Sequence, residues 1–285
     1  LQERYGTSSP GAGRDFLEKI IQVPLSLPLI DRLPLRNLCF VSVDKALDSS
    51  GVRLSEEEVT RFAHGFVHGI EARLATPRLA KRYANVLMFS LPMVKGEVDH
   101  VDFLHIEAIR VFYPEAYEVI REHRDLFVGS RFAGDRLPEQ AERDRAKATV
   151  DLVFEGLSPA ECDSMKHLLK TLFPRLNSVY GNTVYGGDWD RTWAEAKRIA
   201  SHEYVDRYFA FTVPVGDVAD QTVDLYLEQL LAVDTEEGAR VFRELVDAEN
   251  AARFVEKLHH RLTVINAQIA VKLAPIVARN ATLFP

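Results

Sequence analysis

The sequence predicts a mainly α protein: a helical bundle with one short strand near its N-terminus, followed by a second helical domain. Three observations carry that prediction. From Leu35 onward, apolar residues recur at three- and four-residue spacing almost without a break. Helix starts are signed at Ser55, Thr76-Pro77, Asp99, Pro114 and Ser158-Pro159, where a polar side chain can cap a free N–H or a proline can open the first turn. Strand-like runs are confined to Ile20-Ile21-Gln22-Val23, closed by Pro24 and Pro28, and to the alternating Tyr208–Pro214.

The elements follow in order. A short helix over 14–19 precedes the first strand. Leu35, Leu38, Cys39, Val43 and Leu47 define a helix ended by Ser49-Ser50-Gly51. Ser55 with Glu58 three residues later is a capping box, opening a helix expected to reach about Leu74. Thr76-Pro77 starts the next helix, Asp99 caps another, and Pro114 starts one expected to end at Val128-Gly129. The polar stretch Ser130–Pro138 carries Gly and Pro and reads as a domain boundary. Beyond it come a charged helix (139–155), a second well-signed helix start at Ser158-Pro159-Ala160-Glu161, and a Gly/Asn/Tyr-rich excursion over 174–190. Trp189 and Trp193 flank the start of the helix after that excursion, and Asp217 caps a later one. Helices over 235–248 and 251–279 complete the chain. The expected domains are 1–28, 29–130 and 131–285.

Composition removes several functions. The chain has 285 residues, 47% of them hydrophobic, enough for a large core. A net charge of -7 argues against general or sequence-specific nucleic-acid binding. Two distant cysteines, Cys39 and Cys162, exclude a disulfide framework and fit a reducing compartment. No apolar run reaches the roughly 18–20 residues of a membrane span, so a soluble, cytoplasmic protein is expected. Leu1 stands where an initiator Met would, and Phe284-Pro285 directly follows an apolar helical run. The expectation is therefore a piece of a longer polypeptide.

Self-sufficient catalysis has no visible machinery. There is no GxxxxGK[ST] and no GxGxxG, hence no phosphate-cradling loop. His64 and His68 stand at i, i+4, but the motif is HGFVH, without the zinc-protease glutamate and with no third ligand in view. No metal site and no catalytic residue are expected. Asp99, Asp102 and Glu107 are near one another in sequence, yet nothing pairs them for acid–base work.

Glu71 to Glu97 is the exception to the overall acidity. Between those glutamates lie Arg73, Arg78, Lys81, Arg82 and Lys95, and no acidic residue. Arg78, Lys81 and Arg82 share one face of the first turn and a half, opposite an apolar stripe of Leu79, Tyr83, Val86, Leu87 and Leu91. A helix N-terminus with three nearby cations is an anion site, with Thr76 at the cap. The competing reading is a solvated face, and a third is a nucleic-acid patch over Arg73–Arg82.

Several stretches, in this order, resemble the KAP family of P-loop NTPases, relatives of the AAA+ and STAND ATPases. They are Asp15–Pro24 (DFLEKIIQVP), Thr76-Pro77-Arg78 with Lys81-Arg82-Tyr83-Ala84-Asn85, Gly96-Glu97-Val98 through Val101-Asp102, Glu107–Phe112, and Tyr208-Phe209 with Val213-Pro214. The resemblance spans roughly residues 1–215. It implies that 1–28 is a remnant of the P-loop core, 29–130 a helical lid, and 131–285 a C-terminal helical domain. It also implies that Arg78, or Arg82 in its place, is a sensor-2 arginine reaching the γ-phosphate, with Lys81 and Thr76 beside it. ATP and Mg²⁺ would then bind the intact parent. The missing P-loop core, a homo-oligomer or a protein effector would be the partners, and bacterial anti-phage defence the setting. The alternative is an all-helical protein–protein interaction module using the 174–193 loop and the C-terminal helices.

Overall fold

The computed structural model describes residues 31–128, 140–177 and 187–283, and these form fourteen α-helices with no strand among them. The mainly α expectation holds. The strand at 20–23, the helix at 14–19 and the polar boundary at 130–138 lie outside the described residues.

Helix α1 (Arg32–Ser50) ends at Gly51, whose φ of 62° is the left-handed conformation that spares glycine a Cβ clash. Its buried edge, from Leu35 through Cys39 and Val43 to Leu47, packs along α3 (Pro77–Val94). Between them in sequence comes α2 (Glu56–Gly69), opened by the expected reciprocal Ser55–Glu58 cap. It stops at Gly69 rather than near Leu74, and a single 3₁₀ turn, Glu71–Arg73, fills the difference.

Helix α4 (His100–Phe112) is the centre of the first core. Every residue from Val101 to Ile109 is buried, against α2, α3 and α5 (Pro114–Glu122). A helix buried on all sides must satisfy its polar residues internally. Asp102 accepts from Arg198 Nε at 2.5 Å and from the Ile199 amide at 3.1 Å, and His105 Nε2 lies 3.3 Å from the Phe62 carbonyl. The Pro114 helix breaks at Glu122, and α6 (Arg124–Phe127) completes the run.

Three more helices cover this core: α7 (Gln140–Asp151), α8 (Pro159–Leu172) and α9 (Gly187–Glu195). Helix α8 lies close against α2 because Gly69 has no side chain; a Cβ there would overlap Leu168.

Three expectations are corrected in the C-terminal third. Tyr208–Pro214 is not a strand: Val205–Ala210 is a helix, α10, closed by Phe211 at φ 54°. Tyr208 is held by its hydroxyl, 2.7 Å from the Lys197 carbonyl and 3.0 Å from the Asp99 amide, and Phe211 meets Phe103 edge-on, so the apparent alternation reflects a helix and its cap. Helix α11 (Asp220–Ala232) starts at Ala219 rather than Asp217, whose carboxylate is engaged by Arg207 and Lys257. The run over 251–279 is two helices, α13 (Ala251–His260) and α14 (Ala267–Arg279), parted by a turn and a fresh Asn266 cap. Helix α12 (Thr235–Leu245) sits between α11 and α14.

Two separate apolar cores result. One draws on residues from Leu35 to Tyr208, the other on residues from Val218 to Ile276. Between them lies a buried ion network. Arg207 pairs with Glu97, Asp217 and Asp220; Lys257 is 2.9 Å from Asp220; Arg261 is 2.6 Å from Asp220 and 2.5 Å from Asp224; Lys197 is 3.8 Å from Asp220. Among the described residues, no helix is long and apolar enough to cross a membrane.

Candidate anion-binding groove

Helix α3 carries the first candidate site because its two faces differ as the pattern requires. Tyr83, Leu87 and Leu91 are buried and Leu79 and Val86 partly so, while Arg78, Lys81 and Arg82 are exposed. The start is built as expected. Thr76 adopts an extended conformation, its hydroxyl oxygen accepts from the Leu79 amide at 3.3 Å, and Pro77 opens the first turn without an N–H of its own. The Ala80 amide turns back to the Thr76 carbonyl at 3.4 Å. Thr76 is thus a cap whose acceptor is occupied, and the cations face outward beyond it.

Arg78, Lys81 and Arg82 line one open groove of about 790 Å³ together with Asn85 and Phe89 of the same helix. Two further walls come from elsewhere in the chain: Arg110 on α4 and Phe211 after α10. Their guanidinium and ring stack, with the Arg110 Cζ 5.4 Å from the Phe211 centroid. Among the described residues, neither Arg78, Lys81 nor Arg82 has a carboxylate within ion-pair reach. That is unusual in a chain with more acidic than basic residues. Phe89 is 74% exposed and lies roughly 10 Å along the axis from Arg82, by the helical rise per residue.

Arg110 is the one groove cation with its own carboxylate. Its Nη1 lies 3.2 and 3.1 Å from the two oxygens of Glu107, which is fully buried. Burial pushes the Glu107 carboxyl up to about 7, with Arg110 opposing. Near neutrality, Arg110 is therefore only partly neutralised by its neighbour.

The wider basic patch does not form. Arg73 is diverted from α3 to Glu161 at 2.5 Å and lies over the Tyr113 ring at 4.9 Å. The carboxylates without an evident role are structural: Asp99 accepts from Arg61 at 2.6 Å, and Asp102 and Glu107 hold Arg198 and Arg110. Cys39 is buried in α1, and burial raises its thiol to about 12, so it is no nucleophile near neutral pH. Trp193 is buried with Arg175 over its ring at 5.3 Å, whereas Trp189 is 51% exposed. The rest of the excursion, 178–186, lies outside the described residues.

One grouping was missed in the sequence. His64 and His68 do have a third histidine beside them: His167, from α8, with ligand atoms of all three within 4.8 Å of one another. Spacing could not show it, because His167 reaches α2 only through the tertiary packing at Gly69.

No curated protein and no solved structure matches the chain. A family match does exist, and it ends where α3 ends. It is narrower than the resemblance read over 1–215, leaving the stretches at 96–112 and 208–214 beyond it. Residues 1–94, which contain α1, α2 and the basic helix α3, are similar to the KAP family P-loop domain.

Proposed function

We propose that this chain carries the lid of a KAP-like P-loop ATPase and that the α3 groove receives the terminal phosphates of bound ATP. The observation that carries this reading is the set of three exposed cations, Arg78, Lys81 and Arg82, without carboxylate partners among the described residues and joined by Arg110 in one groove. A guanidinium presents two parallel donors to phosphate oxygens, so a trianionic group replaces water at low geometric cost. Arg78 is the sensor arginine in this reading, with Arg82 and Lys81 sharing the charge and Thr76 fixing the helix start. Exposed Phe89, and Phe211 behind Arg110, offer aromatic faces for the remainder of a nucleotide.

The chemistry of hydrolysis belongs to a P-loop core, with Mg²⁺, whose motifs these 285 residues do not contain. The contact from Arg78 exists while the γ-phosphate is present and is lost with it. Hydrolysis thereby biases the position of the lid helices, and the C-terminal helices pass that motion to an effector or a second copy. Anti-phage defence is the setting the family likeness suggests. In an ATPase assembled from this chain and its P-loop core, Arg78→Ala should leave ATP binding measurable and cut turnover on the order of a hundredfold. Unchanged turnover and nucleotide affinity would overturn the sensor role.

The second reading, an all-helical interaction module with no nucleotide role, is favoured by Trp189, half exposed beside buried Trp193. Pull-down with Trp189→Ala separates the two: partner capture lost with phosphate binding intact supports the module.

A further inference from the structure

We propose that His64, His68 and His167 form a binding site for a divalent transition metal of the zinc type, tying α2 to α8. The three rings face one another, with centroids 4.2 Å apart for His64–His68, 5.1 Å for His64–His167 and 5.3 Å for His68–His167. Their nitrogens fall within 4.8 Å of one another. Zinc–nitrogen bonds of about 2.0–2.1 Å place tetrahedral ligands about 3.4 Å apart. Small rotations of three side chains, two of them exposed, close that difference.

The hydrogen bonding around the cluster also fits a metal site. His68 Nδ1 lies 2.8 Å from the His64 carbonyl, the contact made by a ring that donates through Nδ1 and leaves the Nε2 lone pair free. Metal-bound histidines are held in just this manner by a second partner on the other nitrogen. Among the described residues, the His64 and His167 rings have no hydrogen-bond partner at all. Position is enforced by the backbone: α8 can bring His167 this close because Gly69 lets Leu168 seat against α2.

Three nitrogen ligands leave a fourth position for water. One of the three ligands, His64, also lines an open groove of about 620 Å³ that runs past Glu57 and Thr60 to Thr171. Nitrogen donors select zinc, nickel, copper or cobalt over magnesium and calcium. The site is independent of the α3 groove and of any nucleotide.

The test is calorimetric titration of the chain, with no affinity tag and after chelator treatment, using Zn²⁺ in a non-coordinating buffer, beside thermal melts with and without the metal. One Zn²⁺ per chain with micromolar or tighter affinity is expected, together with a higher melting temperature. His64→Ala and His167→Ala should each weaken binding by at least about tenfold, the cost reported even for losing a supporting partner of a ligand. Co²⁺ should give visible absorption bands that vanish in both variants. His123→Ala, a surface histidine outside the cluster, should change nothing. The variants' metal-free melting temperatures show whether they fold. Absence of Zn²⁺ binding, or equal binding by folded variants, would overturn the site, the latter marking adventitious metal on other histidines.

Discussion

Between the two apolar cores, Arg207 is 1% exposed and shares Glu97, Asp217 and Asp220, while Arg78 at the start of α3 is exposed and faces no carboxylate within reach. The two regions are built from the same residue types with opposite accounting. At the junction, four cations (Arg207, Lys257, Arg261, Lys197) meet four carboxylates (Glu97, Asp217, Asp220, Asp224), and the set is neutral. In the α3 groove, four cations meet only Glu107 among the described residues, and its burial holds much of it protonated near neutral pH. A saturated cluster fixes how two cores sit together. The unsaturated one is the groove proposed to take phosphate.

The strongest way to break this contrast is to remove the centre of the junction. Arg207→Ala leaves Glu97 without a cation and removes one partner each from Asp217 and Asp220, and it should cost about 3–5 kcal/mol in urea unfolding, with the two cores melting separately. Burial works to raise the Asp220 pKa, but Lys197, Lys257 and Arg207 outweigh it and hold the carboxyl well below the usual range. A depressed carboxylate contributes its stability above the unfolded value near 4 and loses it only as pH falls below that. Asp220→Asn should therefore destabilise most at neutral pH and progressively less in acid.

Glu107 gives a smaller effect of opposite sign. Its folded pKa of about 7 lies above the unfolded value, so the native state holds the extra proton between roughly 4.5 and 7. Stability falls as pH rises through that window. Glu107→Gln should flatten the fall and leave the protein more stable above pH 7, by on the order of 2 kcal/mol in thermal melts at two pH values. The same titration touches the groove. Ionised Glu107 competes for Arg110 while phosphate gains charge over the same range, so phosphate affinity should rise less with pH through about 7 in the native protein than in the Gln variant.

At the small end, Arg78→Ala should change unfolding free energy by no more than about 0.5 kcal/mol, because nothing in the fold leans on it. A large loss would mean that Arg78, like Arg207, is structural.

Local features were legible and distant ones were not. The Ser55/Glu58 and Ser158/Glu161 boxes and the Thr76-Pro77 start depend on residues three apart, so the sequence displays the whole device. The exposed face of Arg78, Lys81 and Arg82 follows from helical period alone. Arg110 and Phe211 could not be placed, because tertiary packing brings them to the α3 groove. Phe211 misled in addition: a left-handed aromatic cap made YFAFTV look like alternation. Asp217 resembled a cap and is an ion-network member, because buried Arg207 and Lys257 outbid a helix terminus for its carboxylate. His167 is the same kind of omission, a ligand type with no local spacing to betray it.

The most direct measurement is calorimetric titration of this chain with tripolyphosphate and with monophosphate at low and moderate salt, for the native protein and Arg78→Ala/Arg82→Ala. A groove of uncompensated guanidinium groups should prefer the triphosphate, weaken with added salt, and lose at least about tenfold in affinity in the double variant. No binding at low salt, or equal binding by a folded double variant, would contradict it.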